Sequence, residues 1–322
     1  MSDRYARQIV LPEVGAAGQA RLRDVSILVA GAGGLGCAVL EYLCAAGAGH
    51  LTVVDPDRLE ESNLHRQPLY RMQDLGKPKA PVAAALLAER NPQVRLEAAV
   101  ERITPANAAS WVSRADVIVD AADSLALTYM LSDECRRLGK ALVSASVLGL
   151  AGYAGVFCGG APSYRAVFPD MPPQAGSCAL SGVLGTAVGV IGTLQAHMTL
   201  AHVLRLDPPV LGRLVSVDFR TLRFGGFSFA SASEPLEPQL RFICPDEVRP
   251  ADVIVDLRGL AEAPVSPFPT ALRLSVEDVQ SRPLPRGERV VLCCRSGVRA
   301  WRAARALLGR ESRDIALIAL GA

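Results

Sequence analysis

The run at 24–55, "DVSILVAGAGGLGCAVLEYLCAAGAGHLTVVD", limits the possible folds more than any other part of the 322-residue chain. A β-branched apolar stretch leads into clustered glycines, then a helical stretch, then a second β-branched stretch ending in an acid. Two continuous apolar runs joined by a helix describe parallel strands buried on both faces, a βαβ unit. The glycines sit where the first strand hands over to the helix. Gly31, Gly33 and Gly36 of "GAGGLG", with Gly34 between them, let the backbone turn tightly and approach a ligand. The helix N-terminus offers its free N–H groups and positive dipole end to a phosphate.

The alternation continues. "KAPVAAALLAERNP" reads as a helix leading into the strand "QVRLEAAV", and "ADVIVDAAD" as a buried strand ending in acids. The helix "SLALTYMLSDECRRLG" and the strand "KALVSASVL" follow. This rhythm predicts an α/β fold, a Rossmann-like doubly wound sheet with ligands at the C-terminal strand ends. After Arg223, "FGGFSFASASEPLEPQL" is rich in Gly, Ser and Pro without helix or strand periodicity, and reads as a linker at 225–242. The expected division is therefore a nucleotide-binding domain at 1–224 and a small second α/β domain at 243–322. The second domain rests on "ADVIVDLRG", "ERVVLCCRSG" and the helical "VRAWRAARALLG".

Composition narrows the function classes. Thirty-four basic and 32 acidic residues leave a net charge of +2, giving no general electrostatic grip on nucleic acid or an anionic membrane. The first residues carry charges where a signal peptide needs an apolar run, so a cytoplasmic location is expected. The apolar stretch 179–204 approaches the length of a membrane span but contains Gln195, His197 and His202; it reads as a buried helix. Eight cysteines without a CxxC pair indicate buried or reactive thiols rather than a disulfide framework.

The identity of the nucleotide is open from the glycine loop alone. A nicotinamide dehydrogenase places an acid where Asp55 stands, to hold a ribose. The next segment, however, supplies Asn63, Arg66, Lys77 and Lys79 close behind Asp55. A hydride-transfer site has little use for such a cluster, whereas a departing pyrophosphate needs cations and a metal held by carboxylate.

Five pieces carry a resemblance: "RYARQIVLPEVGAAGQARLRDVSILVAGAGGLG", "VVDPDRLEESNLHRQ", "GKPKA", "VIVDAAD" and "GVLGTAVGVIGTLQAH". From Arg4 to about Arg223 the chain resembles the E1-type enzymes of the ThiF, MoeB and HesA kind, which adenylate ubiquitin-like sulfur carriers. The resemblance implies that Asp55 binds the ATP ribose, with Asp57 near the same nucleotide. Asn63, Arg66 and Lys79 surround the phosphates, and Asp123 helps hold Mg2+. Arg7 matches the arginine that reaches the partner subunit's site, which implies a homodimer. Cys178 matches a mobile-loop cysteine that joins the carrier or resolves an acyl disulfide; an incidental loop cysteine is the alternative.

The chain departs from the pattern twice. The family's zinc site is built from two CxxC pairs, but Ser163 and Ala166 occupy the first pair's positions and Cys244 alone stands as a remnant of the second, so no zinc is expected. The family's "TDN" at the magnesium acid reads "ADS" here, with Ser124 in place of the amide.

From Val253 onward the chain resembles a small rhodanese domain, with "VIVDLRG" carrying Asp256 and Arg258 and "CRSGVR" matching the active loop. Inward N–H groups, two arginines and a helix N-terminus in such a loop favour thiolate and persulfide. The match assigns the nucleophile to Cys294 and leaves Cys293 to packing. The segment between the two strands is short and the family's closing motif is missing. The combined expectation is adenylation of a carrier's C-terminal Gly-Gly carboxylate, then sulfur transfer from a persulfide loaded by a donor such as a cysteine desulfurase. A nicotinamide-dependent oxidoreductase and a non-catalytic carrier-binding scaffold are the alternatives.

Overall fold

The computed structural model describes residues 3–172, 182–236, 240–308, 310 and 312–321. Two sheets organise them. The first has eight strands: β1 (Ser26–Ala30), β2 (His50–Val54), β3 (Arg95–Ala99), β4 (Val117–Asp120), β5 (Ala141–Leu148), β6 (Ala151–Cys158), β7 (Arg213–Asp218) and β8 (Arg223–Ser228). Their spatial order is β3-β2-β1-β4-β5-β6-β7-β8. The first five pair in parallel, and β6 to β8 add an antiparallel extension. Strand order reverses between β1 and β4, and at such a switch point the loops leaving neighbouring strands diverge and open a crevice.

Helices cover both faces. Gly34–Ala46, Lys79–Arg90 and Gly185–Leu204 bury one apolar cluster against β1, β2 and β4, while Ala108–Ser113 and Leu125–Leu138 cover the other face. The helix Gly185–Leu204 is long and apolar enough to cross a membrane by length and composition. It lies instead across the sheet and the helix Gly34–Ala46, and the fully buried Gln195 donates to the carbonyls of Asp120 and Val143 at 2.7 and 3.0 Å. Gly192 permits this closeness, because a Cβ there would lie 2.8 Å from the Leu35 carbonyl oxygen.

The second sheet is parallel, in the order β11-β10-β12-β13-β9. Its strands are β9 (Arg241–Phe242), β10 (Val253–Asp256), β11 (Leu272–Arg273), β12 (Arg289–Cys294) and β13 (Asp314–Ala319). The helix Val298–Leu307 packs on one face and presents Trp301 to Tyr129 of the first unit, with ring centroids 4.9 Å apart.

The stretch expected as a linker needs correction. Arg223–Ser228 continues the first sheet as its edge strand, in register with β7 from Arg213↔Ser228 to Asp218↔Arg223. Phe229 beyond it is buried and stacks on Phe157 at 4.8 Å. Every residue of β8 is exposed, so the strand has no buried face to print an alternating pattern, and its two glycines imitate a linker. The second sheet likewise begins at Arg241, two residues before the expected start.

Candidate functional site

The crevice at the β1–β4 switch point is built by glycine. Gly31 leaves β1 at φ +101°, and a Cβ there would lie 2.9 Å from the Ala121 carbonyl group, so the loops following β1 and β4 touch. At Gly36 a Cβ would meet the Gly31 oxygen at 2.2 Å, which draws the first turn of the helix Gly34–Ala46 down onto the loop. Gly33 is the N-cap of that helix and makes no side-chain cap, leaving N–H groups of the first turn facing the crevice. A Cβ at Gly34 would strike Val188 and approach the Arg66 carbonyl oxygen, so this position lets the 63–67 segment cross over the loop.

Asp55, at the end of β2, is buried, and both its oxygens are engaged: Oδ2 accepts from Ala32 N–H and Oδ1 from Asp57 N–H, each at 2.7 Å. Burial raises its carboxyl above the ordinary range against the pull of these two donors. Asp55 thus ties the glycine loop to the next turn. Lys79 opens the helix Lys79–Arg90, is buried, and places Nζ 3.0 Å from Oδ2 of Asp57, whose side chain is exposed. Lys77 points elsewhere, to Asp74 at 3.0 Å.

Arg66 lays its stem over Gly34, and its guanidinium donates to the Ser62 carbonyl at 3.0 Å and meets His65 Nε2 at 2.8 Å. Asn63 is buried beside it. Asp123 sits exposed in the turn after β4. Ser124 is the N-cap of Leu125–Leu138, its Oγ accepting from Leu127 N–H at 3.4 Å, so the departure from the family's amide has a local structural use.

Two site residues escaped the sequence reading. Gln67 is buried, its Oε1 has no hydrogen-bond partner among the described residues, and its amide nitrogen lies 3.7 Å from where a Gly33 Cβ would be. An orphaned buried acceptor costs about 1–3 kcal/mol, so this one is open to a donor from a ligand or a water. Asp120, fully buried, accepts from Thr128 and Ser144 hydroxyls at 2.7 and 2.9 Å. Burial pushes its carboxyl up to about 6. "NLHRQ" and "VIVDAAD" contained both residues, but a buried polar role depends on partners far along the chain.

The structure does not bring Arg7 to this chain's own glycine loop. Neighbouring Tyr5 packs its ring at Gly47, beyond the far end of the helix Gly34–Ala46, whose 13 residues span about 20 Å. Arg7 is exposed there. Cys178 lies outside the described residues. In place of a thiolate, Ser163 donates its hydroxyl to Glu234 Oε2 at 2.6 Å and its N–H to Oε1 at 2.7 Å. Cys244 caps the turn Pro245–Glu247.

At the end of β12 the vicinal cysteines point to opposite faces. Cys293 packs with Val291, Ile254 and Ile318, and burial pushes its thiol up to about 12. Cys294 lies on the other face, its Sγ accepting from the N–H groups of Gly297 at 3.1 Å and Ala300 at 3.4 Å. Gly297, at φ +85°, turns the loop so that these donors aim inward. Arg299 is held by Glu262 at 2.7 Å and by the Leu257 carbonyl at 3.0 Å. Asp256, level with Cys293 in the sheet, is buried; burial alone raises its carboxyl, but Arg258 at 2.8 Å and its N–H outweigh this and hold it below the usual range.

Comparison with known proteins agrees with this geometry. The ThiF family model matches residues 5–239. The sulfur carrier protein adenylyltransferase of Thermus thermophilus is 44% identical over 224 residues, covering 67% of this chain and 83% of its own. The adenylyltransferase and sulfurtransferase MOCS3 of Bos taurus is 36% identical over 321 residues, covering 87% of this chain and 70% of its own. The crystal structure of E. coli MccB with ATP shares the fold, with a TM-score of 0.62 at 21% identity, covering 70% of this chain and 72% of that one. A crevice assembled from glycine, lysine, arginine and an exposed carboxylate at a sheet reversal, matched by the family model over 5–239, makes this chain a member of the ThiF family.

Proposed function

We propose that the chain adenylates the C-terminal Gly-Gly carboxylate of a ubiquitin-like sulfur-carrier protein and then delivers sulfur to it. Arg66 lying over Gly34, Lys79 buried near Asp55, and Asp123 exposed in the loop that Gly31 touches together support this reading. The carboxylate oxygen attacks the α-phosphorus of ATP, the bond to the bridging oxygen breaks, and pyrophosphate leaves with the electron pair. Lys79, drawn from Asp57 to the more highly charged phosphates, and Arg66 offset the charge that develops on the leaving group. The orphaned Gln67 acceptor and the open glycine cradle fit a nucleotide, and Asp123 is the carboxylate available for magnesium, which supplies further positive charge. The relatives are named for adenylation or carrier activation, which supports this reading over hydride transfer or a silent scaffold.

In the second step Cys294 carries a persulfide, loaded by a donor such as a cysteine desulfurase. Its inward N–H groups suit a negatively charged sulfur. Arg7 completes the site of a second copy in a homodimer. The test is ATP–pyrophosphate exchange with the sulfur carrier protein of Thermus thermophilus and other Gly-Gly carriers. Exchange is expected to depend on the carrier and to fall at least a hundredfold in Asp123→Ala. Full exchange in that variant, or none with any Gly-Gly carrier, refutes the proposal.

A further inference from the structure

The sulfur loop is seated on the adenylating unit of its own chain. A Cβ at Gly297 would lie 2.7 Å from the Phe242 ring and 3.3 Å from Ala126 Cβ. Ala126 is the second residue of the helix Leu125–Leu138, which starts two residues after Asp123. Sγ of Cys294 accepts from Gly297 N–H at 3.1 Å, so Sγ lies within about 9 Å of Ala126 Cβ. Three residues of chain reach at most about 11 Å, which puts the Asp123 Cα within about 22 Å of Sγ.

The seat is clamped. The guanidinium of Arg165 is buried over the rings of both Tyr129, 4.9 Å away, and Trp301, 5.4 Å away. It is fixed by Asp133 at 2.6 Å and by the Leu240 carbonyl at 3.0 Å. Tyr129 belongs to the helix that follows Asp123, and Trp301 to the helix that follows the sulfur loop. One buried cation therefore joins the two helices whose N-termini carry the two chemistries.

We propose that sulfur passes within a single chain, from Cys294 to the acyl-adenylate formed at Asp123 of the same subunit, with Arg165 as the positioning residue. This rests on the two-step reading above. The terminal sulfur of the Cys294 persulfide bonds to the carbonyl carbon of the adenylate. The bond from that carbon to the phosphate oxygen breaks, and AMP leaves with the electron pair. The product is an acyl disulfide on Cys294, with no change of oxidation state. A nucleophile tethered on the same chain acts at an effective concentration on the order of millimolar, and the buried Arg165 clamp holds it toward its own subunit's adenylating unit.

The test co-expresses Asp123→Ala and Cys294→Ala chains under two tags, isolates the mixed species, and supplies ATP, the Thermus thermophilus sulfur carrier protein and a persulfide donor. Neither chain holds both functions, so transfer within one chain predicts acyl disulfide at the background of each variant alone. Recovery above a tenth of the wild-type rate overturns the inference while leaving the two-step reading intact. Wild-type protein that forms acyl-adenylate and loads persulfide yet makes no acyl disulfide removes the two-step reading, and the inference with it. Arg165→Met separates positioning from simple structural loss. Pyrophosphate exchange and persulfide loading, read by cyanolysis, are expected within twofold of wild type while acyl disulfide formation falls at least tenfold. A parallel fall in all three overturns the positioning role.

Discussion

Asp120 and Asp123 stand three residues apart in opposite surroundings. Asp123 faces solvent, while Asp120 has no exposure and depends on two hydroxyls. Burial, the dominant effect, pushes the Asp120 carboxyl up to about 6. Its folded pKa therefore lies above the unfolded value of about 4, and the folded state holds a proton that the unfolded state releases. Its contribution is fully present below about pH 4 and is lost as pH rises to about 6, a change of about 3 kcal/mol. In Asp120→Asn that slope is absent, so urea unfolding from pH 4 to 7 should show the variant gaining on wild type across this window and level with pH above it. A difference constant with pH contradicts the assignment.

At the scale of elements, the first turn of the helix Gly34–Ala46 rests directly on the loop after β1. A methyl at position 36 would lie 2.2 Å from a backbone oxygen that has no flexible end to move. Gly36→Ala should therefore cost about 1–3 kcal/mol in thermal or denaturant unfolding and weaken ATP binding at least tenfold, as the N–H groups tilt off the phosphates. Unchanged ATP affinity would show that the loop does not cradle the nucleotide. This element was legible in the sequence because glycine spacing and β-branched runs are local signals. The edge strand β8 was not, since exposed residues and paired glycines leave no periodicity, and its strand character comes from β7 alone. The same limit applies within the site. The order of Asp55, Asn63, Arg66 and Lys79 could be read along the chain, whereas the orphaned acceptor of Gln67 and the two hydroxyls on Asp120 exist only once distant segments meet.

At the scale of the whole molecule, hydrogen bonds through one half-buried carboxylate join the segment after β6 to the chain beyond β8. Ser163 and Arg136 both hold Glu234, tying the segment after β6 to the chain that leaves the first sheet. Among the described residues no three His, Cys, Asp or Glu side chains gather as a metal site. A strong chelator should leave the melting temperature of nucleotide-free protein unchanged, while Glu234→Ala lowers stability by about 1–3 kcal/mol by orphaning Ser163. A chelator-dependent melt would reveal a metal and overturn this account. The pairing of β9 with β13 bears on how the chain can be divided. Residues 241 and 242 come from what reads as connecting chain, yet they cover the outer edge of the second sheet, and the Ile243 N–H continues the ladder to Leu317. The tether is thus also the sheet's last strand. A protease cut there would free two pieces and at the same time bare a parallel strand edge, the feature that makes a separated domain prone to self-association.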